Sequence, residues 1–310
     1  MARPKVAVIG AGNVGATTAQ RIAESGLADV VLTDIVPGMP QGKALDLFEA
    51  APLVGSPARI EGANNLEIIA GARVVVITAG LPRKPGMTRE ELLHSNADIV
   101  GPIADAVAAR APAATVIVVS NPLDVMAQLT LRRTRFEPRR VVGMAGVLDA
   151  ARFACFIAQE LALAPTDVRA MVLGGHGDAM VPLPRFSSVS GIPITELLSA
   201  ERIAALVERT RKGGGEIVNL LKTGSAYYAP AAAVSAMVAC ILRDEKRILP
   251  CAAYLEGQYG VRGVYCGVPV KLGEGGVEEI IELPLTAEEL SALRDSAETV
   301  RAGVRELGLE

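Results

Sequence analysis

The sequence predicts an α/β protein in which a doubly wound parallel sheet precedes a second, mixed α+β domain. Three observations carry this prediction. Short β-branched runs alternate with helix-length segments through the first half, the runs are almost wholly apolar, and the alternation weakens after about residue 145. Half of the 310 residues are hydrophobic and 21% are charged, so a sizeable core can form. At about 150 residues per domain, the length suits two domains. Aromatic residues are only 3%, with no Trp, so aliphatic side chains must fill the core and aromatic platforms for stacked bases are excluded as a main device. Thirty-one Lys and Arg against 34 Asp and Glu give a net charge of −3, without the basic excess of a nucleic-acid binder.

Taken in order, strands are expected at 5–9, 29–33, 73–78, 115–119 and, more weakly, 141–143. Helices at 14–24, 41–50, 89–110 and 123–134 separate them, and this repetition implies right-handed crossovers. The N-terminal run MARPKVAVIGAGNVG superficially resembles a secretion leader, but its glycines interrupt the apolar stretch and it reads better as a first strand. Later come a helix near 148–161, a strand over 168–173 and a polar helix over 200–221. The next twenty residues, 223–242, carry no charge; Pro230 and many weakly hydrophobic alanines favour a buried helix over a bilayer span. Strand-like pieces follow at 248–255, 263–271 and 278–283, and Thr286-Ala-Glu-Glu289 forms a capping box opening a last helix to 307. The division falls at 1–145 and 146–310, and without a Pro/Gly/Ser linker the two parts should pack tightly. Cys155, Cys240, Cys251 and Cys266 show no C-x-x-C spacing, which suits reduced thiols in a cytoplasmic protein and offers no metal-ligand cluster.

Gly10-Ala-Gly12-Asn13-Val14-Gly15 lies between the first strand and the first helix, as in a Rossmann-type dinucleotide site. Gly10 permits the tight turn, Gly12 the close approach of a pyrophosphate, and Gly15 close helix–strand packing. The helix N-terminus adds free N–H groups and the positive end of its dipole. Asp34 ends the second strand about twenty residues on, where an acid binds ribose hydroxyls and repels a 2′-phosphate, favouring NAD over NADP. A glycine-rich turn with an unrelated solvent Asp is the bland alternative, disfavoured by the register of both strands.

Two histidines exist. His94 lies in a helical pattern and reads as structural or solvent-facing. His176, in Gly174-Gly-His-Gly-Asp178, sits on an unbulky turn after an apolar run, open to a ligand and suited to moving an alcohol proton near neutral pH. Asp149 is a candidate for orienting it, although contact does not follow from a separation of 27 residues. Arg83 and Arg89 occupy a Pro/Gly-punctuated loop at the carboxyl edge of the sheet, able to hinge, and Arg152 lies three residues past Asp149. Such a basic loop is by default a solvated surface, but guanidinium forks are also the best carboxylate clamps.

Together, Gly10–Gly15, Asp34, Arg83-Lys-Pro-Gly-Met-Thr-Arg89, Ser120-Asn-Pro-Leu-Asp124, Asp149-Ala-Ala-Arg152 and Gly175-His-Gly-Asp178 resemble the lactate/malate dehydrogenase family from first strand to last helix. In detail the chain is similar to the family's malate-oxidising members of the lactate-dehydrogenase-like type. The resemblance implies a catalytic second domain, NAD as cofactor, reversible hydride transfer between (S)-malate and oxaloacetate, a place in the tricarboxylic acid cycle, and a homodimer or homotetramer. It implies no metal, nucleic acid or membrane partner. It gives His176 as proton acceptor, Asp149 as its partner, Arg152 as clamp for the carboxylate beside the reacting carbon, and Arg89 as polariser of the carbonyl when the loop closes. Asn121 would position substrate, Val119, Ser120, Asn121 and Asn96 would line the cofactor, and a cis peptide would precede Pro122. Arg83 stands where lactate-specific members carry Gln, and Ala226 where they commonly carry Thr, so a second substrate carboxylate is expected. The rivals are an enzyme for lactate or another 2-hydroxy acid, an NAD-dependent glycoside hydrolase, and a non-catalytic NAD sensor. Arg83 argues against the first, the lack of a convincing Cys/His ligand cluster and the shorter chain against the second, and the intact His, Asp and Arg set against the third.

Overall fold

The computed structural model describes residues 3–82 and 86–310, so Arg83 lies outside the described residues. Through the first half run β1 (Lys5–Ile9), α1 (Asn13–Glu24), β2 (Asp29–Thr33), α2 (Met39–Val54), β3 (Ile60–Ala63), β4 (Val74–Ile77), α3 (Arg89–Arg110), β5 (Thr115–Val118), α4 (Leu123–Thr134) and β6 (Val141–Gly143). Their parallel order is β3-β2-β1-β4-β5-β6, the Rossmann winding with its switch point between β1 and β4. Val74 to Ile77 and Val116 to Val118 are fully buried, because helices cover both faces of the sheet.

Next come α5 (Gly146–Leu161), β7 (Val168–Arg169), β8 (Val172–Gly174), β9 (Met180–Pro182), β10 (Ser188–Val189), β11 (Ile192–Pro193), α6 (Ile194–Leu197), α7 (Ala200–Leu221), α8 (Tyr228–Leu242), β12 (Arg247–Glu256), β13 (Arg262–Gly273), β14 (Gly276–Ile280) and α9 (Ala287–Glu306). The antiparallel meander β12-β13-β14 joins the parallel strands through the Ala252–Gly143 pair, making one nine-stranded sheet. Gly143 is needed at that seam, since a Cβ there would stand 2.8 Å from that of Ala252. The expected capping box is present: Thr286 and Glu289 each accept from the other's backbone N–H at the start of α9. The uncharged stretch contributes the fifteen-residue α8, buried through Pro230, Val234, Met237 and Ile241. Among the described residues no helix is long and apolar enough to cross a membrane.

One expectation needs correction. The single strand over 168–173 is two: β7 pairs with β10, whereas β8 pairs with β9 in a separate hairpin. The chain leaves one sheet at Arg169 and enters the other at Val172, and the same apolar run serves two surfaces. The edge strand β3 was not anticipated, because Ile60-Glu-Gly-Ala63 is short, half-exposed and not β-rich.

Candidate active site

At the C-terminal edge of β1 the backbone turns through Gly10, whose φ of 108° suits only glycine. A Cβ on Gly15 would lie 1.8 Å from the Gly10 carbonyl oxygen, so helix and turn could not meet as closely. Nothing lies within 4 Å of where a Cβ on Gly12 would be, which leaves space over the first turn of α1. The N–H groups of that turn have no acceptor within the helix and point into it. Asn13 opens α1 and Val14 is half-buried. Asp34 Oδ2 accepts the Ala11 N–H at 2.7 Å and Oδ1 the Val36 N–H at 3.0 Å, fixing the carboxylate beside the glycine turn. Each oxygen keeps a lone pair for a ribose hydroxyl. An open glycine, free N–H groups and an immobilised carboxylate fit the pyrophosphate and ribose of NAD.

The β8–β9 hairpin places His176 at its tip, between Gly174 (φ 80°) and Gly177 (φ 104°). The Nδ1 of His176 lies 2.8 Å from Oδ2 of buried Asp149, on the first turn of α5. A carboxylate only accepts, so Nδ1 carries the proton of the neutral ring and Nε2 is left to take another. Oδ1 of Asp149 accepts from Arg152 at 3.2 Å, one turn along α5. Burial by itself would depress the His176 imidazole, but the charge and hydrogen bond of Asp149, with the charge of Asp124, outweigh it and leave the pKa above its ordinary value.

Two residues without a role in the sequence reading hold this hairpin. Asp124 Oδ2 accepts the His176 N–H at 3.2 Å, and Ser296 Oγ on α9 accepts the Gly175 N–H at 2.7 Å. Burial raises the Asp124 carboxyl to about 6, against the lowering by its His176 hydrogen bond, and its Oδ1 has no partner among the described residues. Asp124 closes the quoted run Ser120–Asp124, a signal that was visible; Ser296 gave none. Gly213 of α7 is a third: a Cβ there would fall 2.2 Å from Arg152 Cδ.

The peptide between Asn121 and Pro122 is cis, and Asn121 is exposed at the mouth of the site. Val119 is half-buried, and Ser120 Oγ donates to Ala79 O at 2.5 Å. The Asn96 amide, fully buried, accepts from Leu81 N at 2.7 Å and donates to Asn121 O at 2.6 Å. It braces Leu81 against Asn121 and offers its hydrogen bonds to protein. Arg89, 76% exposed, is not gathered with His176, Asp149 and Arg152; it pairs with Asp178 at 3.0 Å on the hairpin's outer side. A hollow of about 870 Å³ against α7 shares Asp178 with this loop but is not lined by His176, Asp149 or Arg152, so donor geometry rather than cavity size locates the chemistry.

A dinucleotide turn in one half of the chain, with a proton-carrying imidazole and a half-buried guanidinium in the other, is the equipment of a nicotinamide-dependent dehydrogenase. Residues 4–143 match the lactate/malate dehydrogenase NAD binding domain, and residues 146–307 the lactate/malate dehydrogenase alpha/beta C-terminal domain. The malate dehydrogenase of Roseiflexus castenholzii is 55% identical over 305 residues, 98% of this chain and 99% of that one. The crystal structure of Cryptosporidium parvum malate dehydrogenase superposes with a TM-score of 0.96 at 44% identity, covering 98% of this chain and 99% of that one. A lactate dehydrogenase of the same organism, complexed with lactic acid and nicotinamide adenine dinucleotide, gives 0.95 at 43%, covering 99% and 98%. The chain belongs to the lactate/malate dehydrogenase family and is an NAD-dependent oxidoreductase.

Proposed function

We propose that the chain is a malate dehydrogenase interconverting (S)-malate and oxaloacetate. The observation that carries the chemistry, oxidation of a 2-hydroxy acid, is the His176–Asp149–Arg152 trio, in which one buried carboxylate orients both an imidazole and a guanidinium. When bound, NAD supplies the acceptor and donor of the C2 hydride. Gly10, Gly12, Asn13, Val14, Gly15 and Asp34 are its anchoring positions, with Val119, Ser120 and Asn121 alongside. His176 Nε2 takes the hydroxyl proton of malate and returns it to oxaloacetate, while Asp149 stabilises the imidazolium. Arg152 spends one N–H on Asp149 and keeps the rest of its fork for the carboxylate beside the reacting carbon. Asn121, and Arg89 once released from Asp178, stabilise charge on the substrate oxygen. Residues 1–145 hold the cofactor, and 146–310 carry His176, Asp149 and Arg152.

The fold does not separate malate from lactate, since enzymes named for each superpose equally well. The sequence supports malate through Arg83, whose charge would pair with the far carboxylate. Leaving that carboxylate unpaired in a closed site would cost about 2–5 kcal/mol. NADH oxidation with oxaloacetate and with pyruvate, in the parent protein and Arg83→Gln, tests this. We expect oxaloacetate to dominate in the parent and the ratio of the two kcat/KM values to fall by about 30-fold or more in the variant. An unchanged ratio refutes the specificity assignment, and turnover surviving in His176→Asn refutes the proton assignment.

A homo-oligomer in the cytoplasm, serving the tricarboxylic acid cycle, completes the proposal. Exposed Leu45, Phe48 and Leu53 on α2 support the oligomer, being apolar surface that a second copy would cover. Sedimentation at micromolar concentration reads this directly, and a monomer overturns it.

A further inference from the structure

We propose that Glu90, His94 and Glu306 form a binding site for one divalent transition-metal ion of the zinc class, pinning the first turns of α3 to the end of α9. Glu90 and His94 stand four residues apart and so share one face of α3. Glu306 reaches them from the last turn of α9, which Gly303, one turn earlier, lets settle against α4: a Cβ there would stand 2.9 Å from Val125, while Leu93 of α3, at 3.9 Å, would be in ordinary contact. The ligand atoms of all three lie within 4.8 Å of one another, and His94 Nε2 is 3.1 Å from Glu306 Oε1. Ligands at zinc's ~2.0 Å bond length stand about 3.3 Å apart around a tetrahedron, so the preformed pair needs little movement to accept an ion.

The donor set selects the metal. An imidazole with two carboxylates suits zinc, cobalt, nickel or copper, whereas calcium and magnesium prefer oxygen throughout. Two carboxylate charges balance a dication, and exposure of all three residues leaves a coordination position for water. Neighbouring cations are engaged elsewhere, Arg89 with Asp178 at 3.0 Å and Arg305 with Glu310 at 2.8 Å. The proposed reaction uses none of the three ligands.

Calorimetric titration of the untagged protein with Zn²⁺, and visible absorption with Co²⁺, test the site. The expected result is one ion per chain, with affinity reduced more than about 100-fold in both His94→Gln and Glu306→Gln, beyond the loss of an outer hydrogen-bond partner. Zn²⁺ should also raise the melting temperature of the parent but not of His94→Gln. Cys155→Ser, which removes the exposed thiol, should bind as the parent does. Absence of saturable uptake below millimolar zinc, affinity unchanged in His94→Gln, or loss of binding in Cys155→Ser each overturns the proposal.

Discussion

Asp149 serves two groups at once, one oxygen on His176 and the other on Arg152, and has almost no exposure to water. Its charge and hydrogen bond are what lift the imidazole above its usual range despite burial. In the proposed mechanism oxaloacetate reduction needs the His176 imidazolium, so its kcat/KM should fall as pH rises through that raised pKa. Asp149→Asn should move this fall to lower pH and reduce kcat by about 10²–10⁴. A profile with an unmoved midpoint would show that Asp149 does not set the proton affinity of His176. Much at this scale was legible: His176, Asp149 and Arg152 are read off short motifs as candidates. Their contacts were not, because nothing local links positions 27 residues apart. Asp124 and Ser296 act on the backbone of the His176 loop from 52 and 121 residues away, and such links exist only once the fold has formed.

At the scale of elements, α7 contains Gly213-Gly-Gly215 in its interior, a sequence that weakens a helix by about 1 kcal/mol per glycine. Arg152 gives the first of them a reason, since its side chain lies where a Cβ would be. Gly213→Ala should therefore leave the melting temperature unchanged or higher while raising KM for oxaloacetate, because the guanidinium is pushed aside. A variant with parental KM would detach Gly213 from the clamp. The long elements were legible for a simple reason: α1, α7 and α9 have strong periodicity, and α3 and α9 open on capping boxes. The β8–β9 hairpin was not, because an apolar run from 168 to 173 does not reveal that its two ends pair with different partners.

For the whole molecule, the single sheet carries both halves of the chain, and Asp124 sits buried on α4 against the hairpin that bears His176. Its carboxyl is raised to about 6 by burial, above the ordinary value of 3.8. A group raised in the folded state contributes stability that is full below its unfolded pKa and is lost as pH rises through the folded one. Stability from this residue should therefore decline between about pH 4 and 6, by up to about 3 kcal/mol. Asp124→Asn keeps an acceptor for the His176 N–H and should flatten that part of the pH–stability curve. Denaturant unfolding at pH 4.5 and 7 reads the difference, and an unaltered slope would mean that the carboxyl does not titrate in this window.

The bond from Ser296 to the Gly175 N–H ties the His176 loop to the last helix, across 121 residues of chain. The imidazole cannot take its working pose until nearly the whole polypeptide has emerged. A chain halted short of Ser296 would thus lack turnover, because nothing would hold the hairpin tip from behind.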